Sequence, residues 1–303
     1  MKTSLLSAAP KQKRVLSLGA FDGVHYAHRA VLMTACTEAR LCGALSAVFT
    51  FSQDPSVFLN KPQPMLNTFS QRETLIRAAG VDEIVYATFD DAMRTRSPED
   101  FFSLLCETLT PVCLVCGYNY TFGNGGKGNV ALLRALCEAR NIKLTVLEPI
   151  SLGGITVSST EIRSRLAAGE IAAANRLLGY PFTVCGTVIH GNERGKTFGF
   201  PTANIPCEAN RAAPAYGVYL SRVRIGECIY PAVTDFGLRP TVNQTATPLY
   251  ESHLLHFSGD LYGREIAVEL LQYLRPEQAF SSEKELISAI FDDVKAAERF
   301  FNE

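Results

Sequence analysis

The sequence predicts an α/β doubly wound parallel-sheet domain followed by a small antiparallel β-barrel domain with a terminal helix, and two rhythms predict it. In the first half, apolar runs at 15–21, 45–51, 83–89, 112–117 and 143–149 alternate with amphipathic segments at 27–41, 71–79, 98–109 and 130–140. Strand–helix repetition of this kind builds a parallel sheet with helices on both faces. Ligands in such sheets bind beyond the C-terminal strand ends, which directs attention to the loops after Phe21, Phe51 and Gly117. In the second half, short apolar stretches at 182–189, 217–225, 229–233, 250–257 and 265–274 are separated by Gly and Pro turns, and one helix, 282 to about 301, closes the chain. Many short strands at even spacing suggest a small barrel. A helix over 161–178 ends at Gly179-Tyr180-Pro181, a sequence that stops helices, so the expected domains are 1–180 and 181–303.

Composition narrows the function. The 303 residues, 47% hydrophobic, are enough for two cores. With 29 basic and 30 acidic side chains the net charge is −1, which argues against a nucleic-acid partner, since a polyanion needs a basic footprint. No run approaches the length that spans a bilayer. The N-terminal apolar patch Leu5-Leu6 is too short for a secretory leader, so the start reads as a frayed terminus and the protein as cytoplasmic. The 9 cysteines fall mostly in apolar runs. Cys113 and Cys116, spaced C-L-V-C, sit in a buried-strand pattern with no second ligand pair and read as reduced core thiols rather than a zinc site.

The first strand leads into Gly19-Ala20-Phe21-Asp22-Gly23-Val24-His25-Tyr26-Ala27-His28. His25 and His28 are three apart at a helix start, where backbone N–H groups already favour anions. Two imidazoles there can grip a polyphosphate; taken alone, the pair reads equally well as half-buried histidines at a cap. Later, Arg163 falls in the first turn of a helix, in Ser158-Ser159-Thr160-Glu161-Ile162-Arg163. The helix dipole would prefer an acid there, so a cation makes sense if it meets a phosphate.

The second half carries three polar segments. The first, from Gly186 to Asn204, includes His190-Gly191, Gly195-Lys196-Thr197, Gly199 and Pro201-Thr202-Ala203-Asn204. It is not a P-loop, because His190 stands where the leading glycine is required. Its glycines Gly191, Gly195 and Gly199 can expose N–H groups to phosphate, although a glycine-rich hairpin has the same look. Thr202 and Asn204, two apart in extended chain, share a side and offer hard oxygen ligands for Mg²⁺. The second segment is Gly237-Leu238-Arg239-Pro240-Thr241. The third is Tyr250-Glu251-Ser252-His253-Leu254-Leu255-His256-Phe257, followed by Asp260-Leu261-Tyr262-Gly263. Period two puts Glu251, His253, Leu255 and Phe257 on one face. If Leu255 and Phe257 point inward, Glu251 is a carboxylate at the mouth of an apolar interior and a candidate general base; a solvated strand-end glutamate is the alternative.

The F-D-G-x-H-x-x-H pattern, Gly117-Tyr118-Asn119-Tyr120-Thr121-Phe122-Gly123 and S-S-T-x-I-R together resemble the nucleotidyltransferase module of bacterial FAD synthetases. The P-T-A-N, G-x-R-P-T and E-x-H-L-L-x-F-x-x-D-L-Y-G segments, in that order over 182–303, resemble riboflavin kinase. The whole chain thus resembles the bacterial bifunctional riboflavin kinase/FAD synthetase family. The resemblance implies ATP, riboflavin and FMN as small-molecule substrates, with Mg²⁺ as cofactor. It implies that Phe21, Asp22, Gly23, His25, His28, Asn119, Ser159, Thr160 and Arg163 surround ATP and the flavin phosphate. It further implies that Gly191, Gly195, Gly199 and Arg239 bind nucleotide or flavin, that Thr202 and Asn204 hold Mg²⁺–ATP, and that Glu251 accepts the ribityl hydroxyl proton. The chain departs from the family pattern at Ala27, where glycine is expected, and at Gln53-Asp54, where the family commonly carries Pro-His-Pro. A kinase-dominant enzyme and a non-catalytic flavin-binding protein are the alternative readings.

Overall fold

The computed structural model describes residues 2–53, 55–58, 63–191, 200–239 and 247–302. Packing divides the chain into two compact units, Met1–Ser159 and Thr160–Glu303. The first contains β1 (Lys2–Leu5), β2 (Arg14–Leu18), α1 (Tyr26–Cys42), β3 (Leu45–Phe51), α2 (Pro55–Phe58), α3 (Phe69–Ala78), β4 (Glu83–Ala87), α4 (Asp91–Arg94), α5 (Pro98–Leu109), β5 (Pro111–Gly117), α6 (Val130–Ala139), β6 (Lys143–Leu147) and the hairpin β7 (Ser151–Leu152)/β8 (Ile155–Thr156). Its six-stranded sheet has the order β1-β4-β3-β2-β5-β6, parallel throughout.

Alternation along the strands feeds two cores. Leu16, Leu18, Phe49 and Leu114 pack with α5 and α6 residues such as Phe102 and Leu133 on one face. Val15, Val48, Ile84 and Val115 pack with Val31, Leu32 and Ile76 of α1 and α3 on the other. Cys113 and Cys116 belong to opposite faces of β5, so strand geometry keeps the C-L-V-C thiols from converging. The helices start where the side-chain chemistry says they should: Thr68 and Gln71 form a capping box at α3, Ser97 caps α5 with Pro98 next, and Asn129 caps α6.

The N-terminus is not frayed. Lys2–Leu5 forms β1, in register with Glu83–Tyr86 of β4. Leu5 of the apolar patch ends this edge strand, and Leu6, opening a 3-10 turn, is buried in the core. Next to it Arg14 and Glu83 form a buried ion pair (2.7 Å), with the guanidinium also donating to the carbonyls of Pro10, Gln12 and Leu109.

The second unit begins with α7 (Ser159–Ala167) and α8 (Ile171–Leu178). The single helix expected over 161–178 is broken by Gly169, whose φ of 77° no α-helix accepts. The packing boundary, at Ser159/Thr160, lies at the start of α7 and ahead of α8. α8 lies on the barrel, and its Asn175 donates to Leu270 O (2.8 Å) and accepts from Phe182 N (2.7 Å). The barrel comprises β9 (Phe182–Thr187), β10 (Thr202–Pro206), β11 (Gly217–Ile225), β12 (Cys228–Arg239), β13 (Thr247–Leu254) and β14 (Glu265–Arg275), followed by α9 (Glu283–Asn302). The sheet order is β10-β13-β12-β11-β14-β9. Its two ends meet again through the Ile189–Asn204 bridge, and Gly186 makes room for Ile205 at that seam. Tyr219, Phe236, Tyr250 and Ile205 fill the interior. Among them runs a buried hydroxyl row, Ser221–Thr234 (2.7 Å) and Thr234–Ser252 (2.8 Å). Outside, α9 covers Val218, Leu220, Val233 and Leu255 with Ala297, and Arg275 grips Asp293 of the helix through two bonds (3.0 and 2.7 Å).

Candidate active sites

The parallel sheet reverses its winding at β2: β3 lies on one side and β5 on the other, so a ligand crevice is expected beyond the ends of β2 and β5. The chain leaving β2 is held in an unusual shape. Phe21 (φ 54°), Gly23 (φ 83°) and Val24 (φ 34°) all adopt left-handed backbone. For a β-branched valine this is costly and needs support from the surroundings. Support comes from four sides. Arg72 of α3 donates to Ala20 O (2.6 Å) and to Phe51 O (2.7 Å). Thr50 Oγ1 donates to the same Ala20 carbonyl (3.2 Å). The buried Asp22 carboxylate accepts from Leu66 N (2.8 Å), and Ser159 Oγ donates to Asp22 O (2.8 Å).

His25 is the N-cap of α1, its Nδ1 accepting from His28 N (3.3 Å). With Nδ1 occupied as acceptor, Nε2 carries the ring proton in the neutral form. The two imidazoles stack, centroids 3.7 Å apart, and Phe21 meets His28 edge-on at 5.3 Å. His28 Nδ1 is buried without a hydrogen-bond partner. Burial first, then His25 and the Arg72 guanidinium, hold its proton affinity well below the ordinary histidine value. Stacked imidazoles at a helix N-terminus can present N–H groups to an incoming anion, and the anion's charge would favour protonation.

On the far side of β2, Asn119 is exposed in the turn after β5, which Tyr118 N→Leu147 O (2.9 Å) and Tyr120 N→Gly117 O (3.1 Å) shape. Ser159 opens α7, and Thr160 and Arg163 follow on it within the second unit. Ala27 lies in the first turn of α1. Gln53 follows β3, and Asp54 is outside the described residues.

In the barrel, register makes the site. Asn204 of β10 stands opposite Glu251 of β13, and Glu251 opposite Asp235 of β12. Thr202 faces His253 in the same way. Directly opposed residues share a face, and the row continues through Val218 to Arg275, which are on the α9 side. Glu251 therefore sits on the outer face. Its neighbours Tyr250, Ser252 and Leu254 are the ones turned inward, and Leu255 packs beneath α9 rather than in the barrel. This corrects the expectation of a carboxylate at the mouth of the interior: Leu255 is taken by the α9 side, so Tyr250, Ser252 and Leu254 meet the barrel core, where Ser252 joins the Ser221–Thr234 hydroxyl row.

Asn204 is only 4% exposed, its Oδ1 is buried without a partner, and its Nδ2 lies 3.4 Å from Thr202 O. A buried amide oxygen lacking a donor suits a hard cation. Gly191 approaches so closely that a Cβ there would lie 2.6 Å from Asn204 Nδ2. His190 stacks on Tyr262 (3.7 Å), tying the Gly191 loop to the Asp260–Gly263 turn. Gly195 and Gly199 lie outside the described residues, as does the Arg239 side chain. Arg72 and Asp235 escape sequence reasoning, because neither falls in a motif and only register or burial reveals them.

Comparison with known proteins matches both halves. A FAD synthetase family model matches residues 7–161, and a riboflavin kinase family model matches 178–301. The bifunctional riboflavin kinase/FMN adenylyltransferase of Escherichia coli K12 is 37% identical over 300 residues, covering 98% of this chain and 95% of its own. The Bacillus subtilis protein of the same name is 32% identical over 295 residues, covering 96% and 93%. A crystal structure of a Streptococcus pneumoniae protein titled macrolide-efflux protein superposes with a TM-score of 0.88 at 26% identity, covering 98% of both chains. In the present chain, among the described residues, no helix is long and apolar enough to cross a membrane. Two family models in sequence order, with full-length relatives at these identities, establish that the chain belongs to the bifunctional riboflavin kinase/FMN adenylyltransferase family, transferases that make FMN from riboflavin and FAD from FMN.

Proposed function

We propose that residues 1–180 catalyse FMN adenylylation and 181–303 riboflavin phosphorylation, each with the side chains singled out above. In the first reaction an FMN phosphate oxygen attacks the α-phosphorus of ATP and pyrophosphate leaves. His25 and His28 donate to the polyphosphate; Phe21, Asp22 and Gly23 shape its loop. Asn119, Ser159, Thr160 and Arg163 contact nucleotide or flavin phosphate. No covalent intermediate is needed, so catalysis is positioning and charge stabilisation.

In the second reaction Glu251 accepts the proton of the ribityl 5′-hydroxyl as its oxygen attacks the γ-phosphorus of ATP, and ADP leaves. Thr202 and Asn204 would hold Mg²⁺, which offsets phosphoryl charge when bound. Gly191, Gly195, Gly199 and Arg239 hold nucleotide or flavin. The observation that supports this site most is the register Asn204–Glu251, which seats a partnerless buried oxygen beside a carboxylate. The reaction is expected to take place in the cytoplasm.

The test is chromatography of flavins after incubation with ATP and Mg²⁺, started from riboflavin and, separately, from FMN. FMN and FAD from the first and FAD from the second are expected. FMN alone would favour a kinase-dominant enzyme. No product would leave a flavin-binding protein.

A further inference from the structure

We propose that Arg72 is a positioning residue of the adenylyltransferase site, locking the loop after β2 to the end of β3 so that His25 and His28 meet the polyphosphate. The proposal rests on the role assigned above to the two histidines. Arg72 lies in the first turn of α3, its side chain laid over the Phe69 ring (5.3 Å), and the residue is 2% exposed. Its guanidinium bridges the carbonyls of Ala20 (2.6 Å) and Phe51 (2.7 Å), which belong to chain leaving two adjacent strands. A planar fork can serve two separate carbonyls at fixed angles; an ammonium at the end of a flexible stem cannot hold both as rigidly.

The consequences run straight to the histidines. Ala20 precedes Phe21, whose left-handed backbone (φ 54°) must be held from outside. The Phe21 ring rests on His28 at 5.3 Å, and His28 is stacked on His25. The chain of contact from α3 is therefore guanidinium, Ala20 carbonyl, Phe21 ring, His28 ring. The same cation adds a fixed positive potential behind the imidazoles. The charged groups bearing on His28 are His25 from its own helix turn and Arg72 from α3; the Asp22 carboxylate of the loop accepts from the Leu66 amide. Burial first and His25 next hold the His28 proton affinity down, and the guanidinium adds to them; it also favours negative charge on the phosphates.

The experiment uses the full chain with R72K and R72M, measuring FAD formation from FMN over about pH 5 to pH 8. FMN formation from riboflavin in the same preparation serves as an internal control, and circular dichroism reports folding. R72M is expected to lower kcat for FAD about 100-fold while FMN formation is unchanged, and to move the acid-side inflection of the kcat/KM profile to higher pH, because His28 then protonates more readily. R72K should lose about 10-fold in kcat through the weakened bridge with the acid limb at its wild-type position, since the charge is kept. Wild-type FAD formation by either variant overturns the proposal. So do equal losses in both variants with an unmoved acid limb, which would mark a structural tie only. If R72M does not fold, R72K decides: lowered kcat with the wild-type acid limb supports the proposal, and any other profile overturns it. H28N separates the two readings. Loss of FAD formation in H28N beside unimpaired Arg72 variants removes the Arg72 role alone, whereas an active H28N removes the histidine reading and the Arg72 proposal with it.

Discussion

The two sites are assembled on different principles. In the first unit, Phe21 to His28 are consecutive residues in one strand-to-helix turn, and its geometry comes from left-handed backbone buttressed by Arg72, Thr50 and Asp22. In the barrel the proposed ligands and base come from two strands, β10 and β13, and only pairing brings them together: Asn204 stands opposite Glu251, with Asp235 of β12 on its other side. A local turn is specified by its own sequence, with a few outside props. A cross-strand row is specified by everything that sets register, including the buried hydroxyls of Ser221, Thr234 and Ser252. Damage to the first should act through loop shape, and damage to the second through single side chains.

The largest expected effect is at Glu251. E251Q keeps the shape and the strand pairing and removes the carboxylate. FMN formation should fall by about 100- to 10,000-fold, while FAD formation from supplied FMN stays at the wild-type rate. Loss of both activities together would show that the two sites are not independent, and an unchanged FMN rate would remove Glu251 as base. The reciprocal variant H25N/H28N should lose FAD formation and keep FMN formation.

A smaller effect is expected at the glycine that guards Asn204. In G191A the added methyl would lie 2.6 Å from Asn204 Nδ2 and 3.0 Å from its Cγ. Asn204 is buried and has little room to yield. The amide should be displaced, with FMN formation falling about 10- to 100-fold and the Mg²⁺ concentration for half-maximal rate rising. Steady-state rates across a Mg²⁺ titration read both. G226A provides the contrast: Gly226, in the turn between β11 and β12, has glycine-type backbone (φ 59°), but a Cβ there would meet nothing within 4 Å, so its rate should stay near wild type. Equal losses in the two variants would mean that glycine flexibility, not the approach to Asn204, matters.

The same division explains what was legible in the sequence. Both fold classes were, because the periodicities that report them are local: β11 spans the expected 217–225, and α5 the expected 98–109. His25 at the cap and the turn after Gly117 were readable as motifs in continuous chain. The inward or outward sense of β13 was not. Leu255 and Phe257 suggest one face, but Leu255 is buried under α9, a helix some 30 residues downstream. A strand covered on both faces gives no clean alternation, and the hydroxyl row turned the barrel's inner face polar at Ser252. The edge strand β1 was missed because four residues beside a terminus have no periodicity to measure; parallel pairing with Glu83–Tyr86 creates it. Arg72 reads as an ordinary charge on an amphipathic helix. Its role appears only once α3 is folded against the strand ends.

The smallest effect separates the sites by pH. His28 binds a proton less readily in the folded chain than its ordinary value of 6.5, through burial, His25 and Arg72. Above that value both folded and unfolded chains leave the ring neutral, and the group costs the fold nothing. As pH falls below about 6.5, the unfolded chain takes up a proton that the folded chain refuses, so stability declines until the folded-state value is reached. The dependence corresponds to about one proton and should be confined to the transition of the first unit in calorimetry without ligands. H28N should flatten it. Adding ATP should weaken it too, because phosphate charge beside the ring raises its proton affinity in the complex. If the decline persists undiminished in H28N, a different buried group sets the acid limit, and the buried His28 imidazole is not what distinguishes the turn-built site from the register-built one.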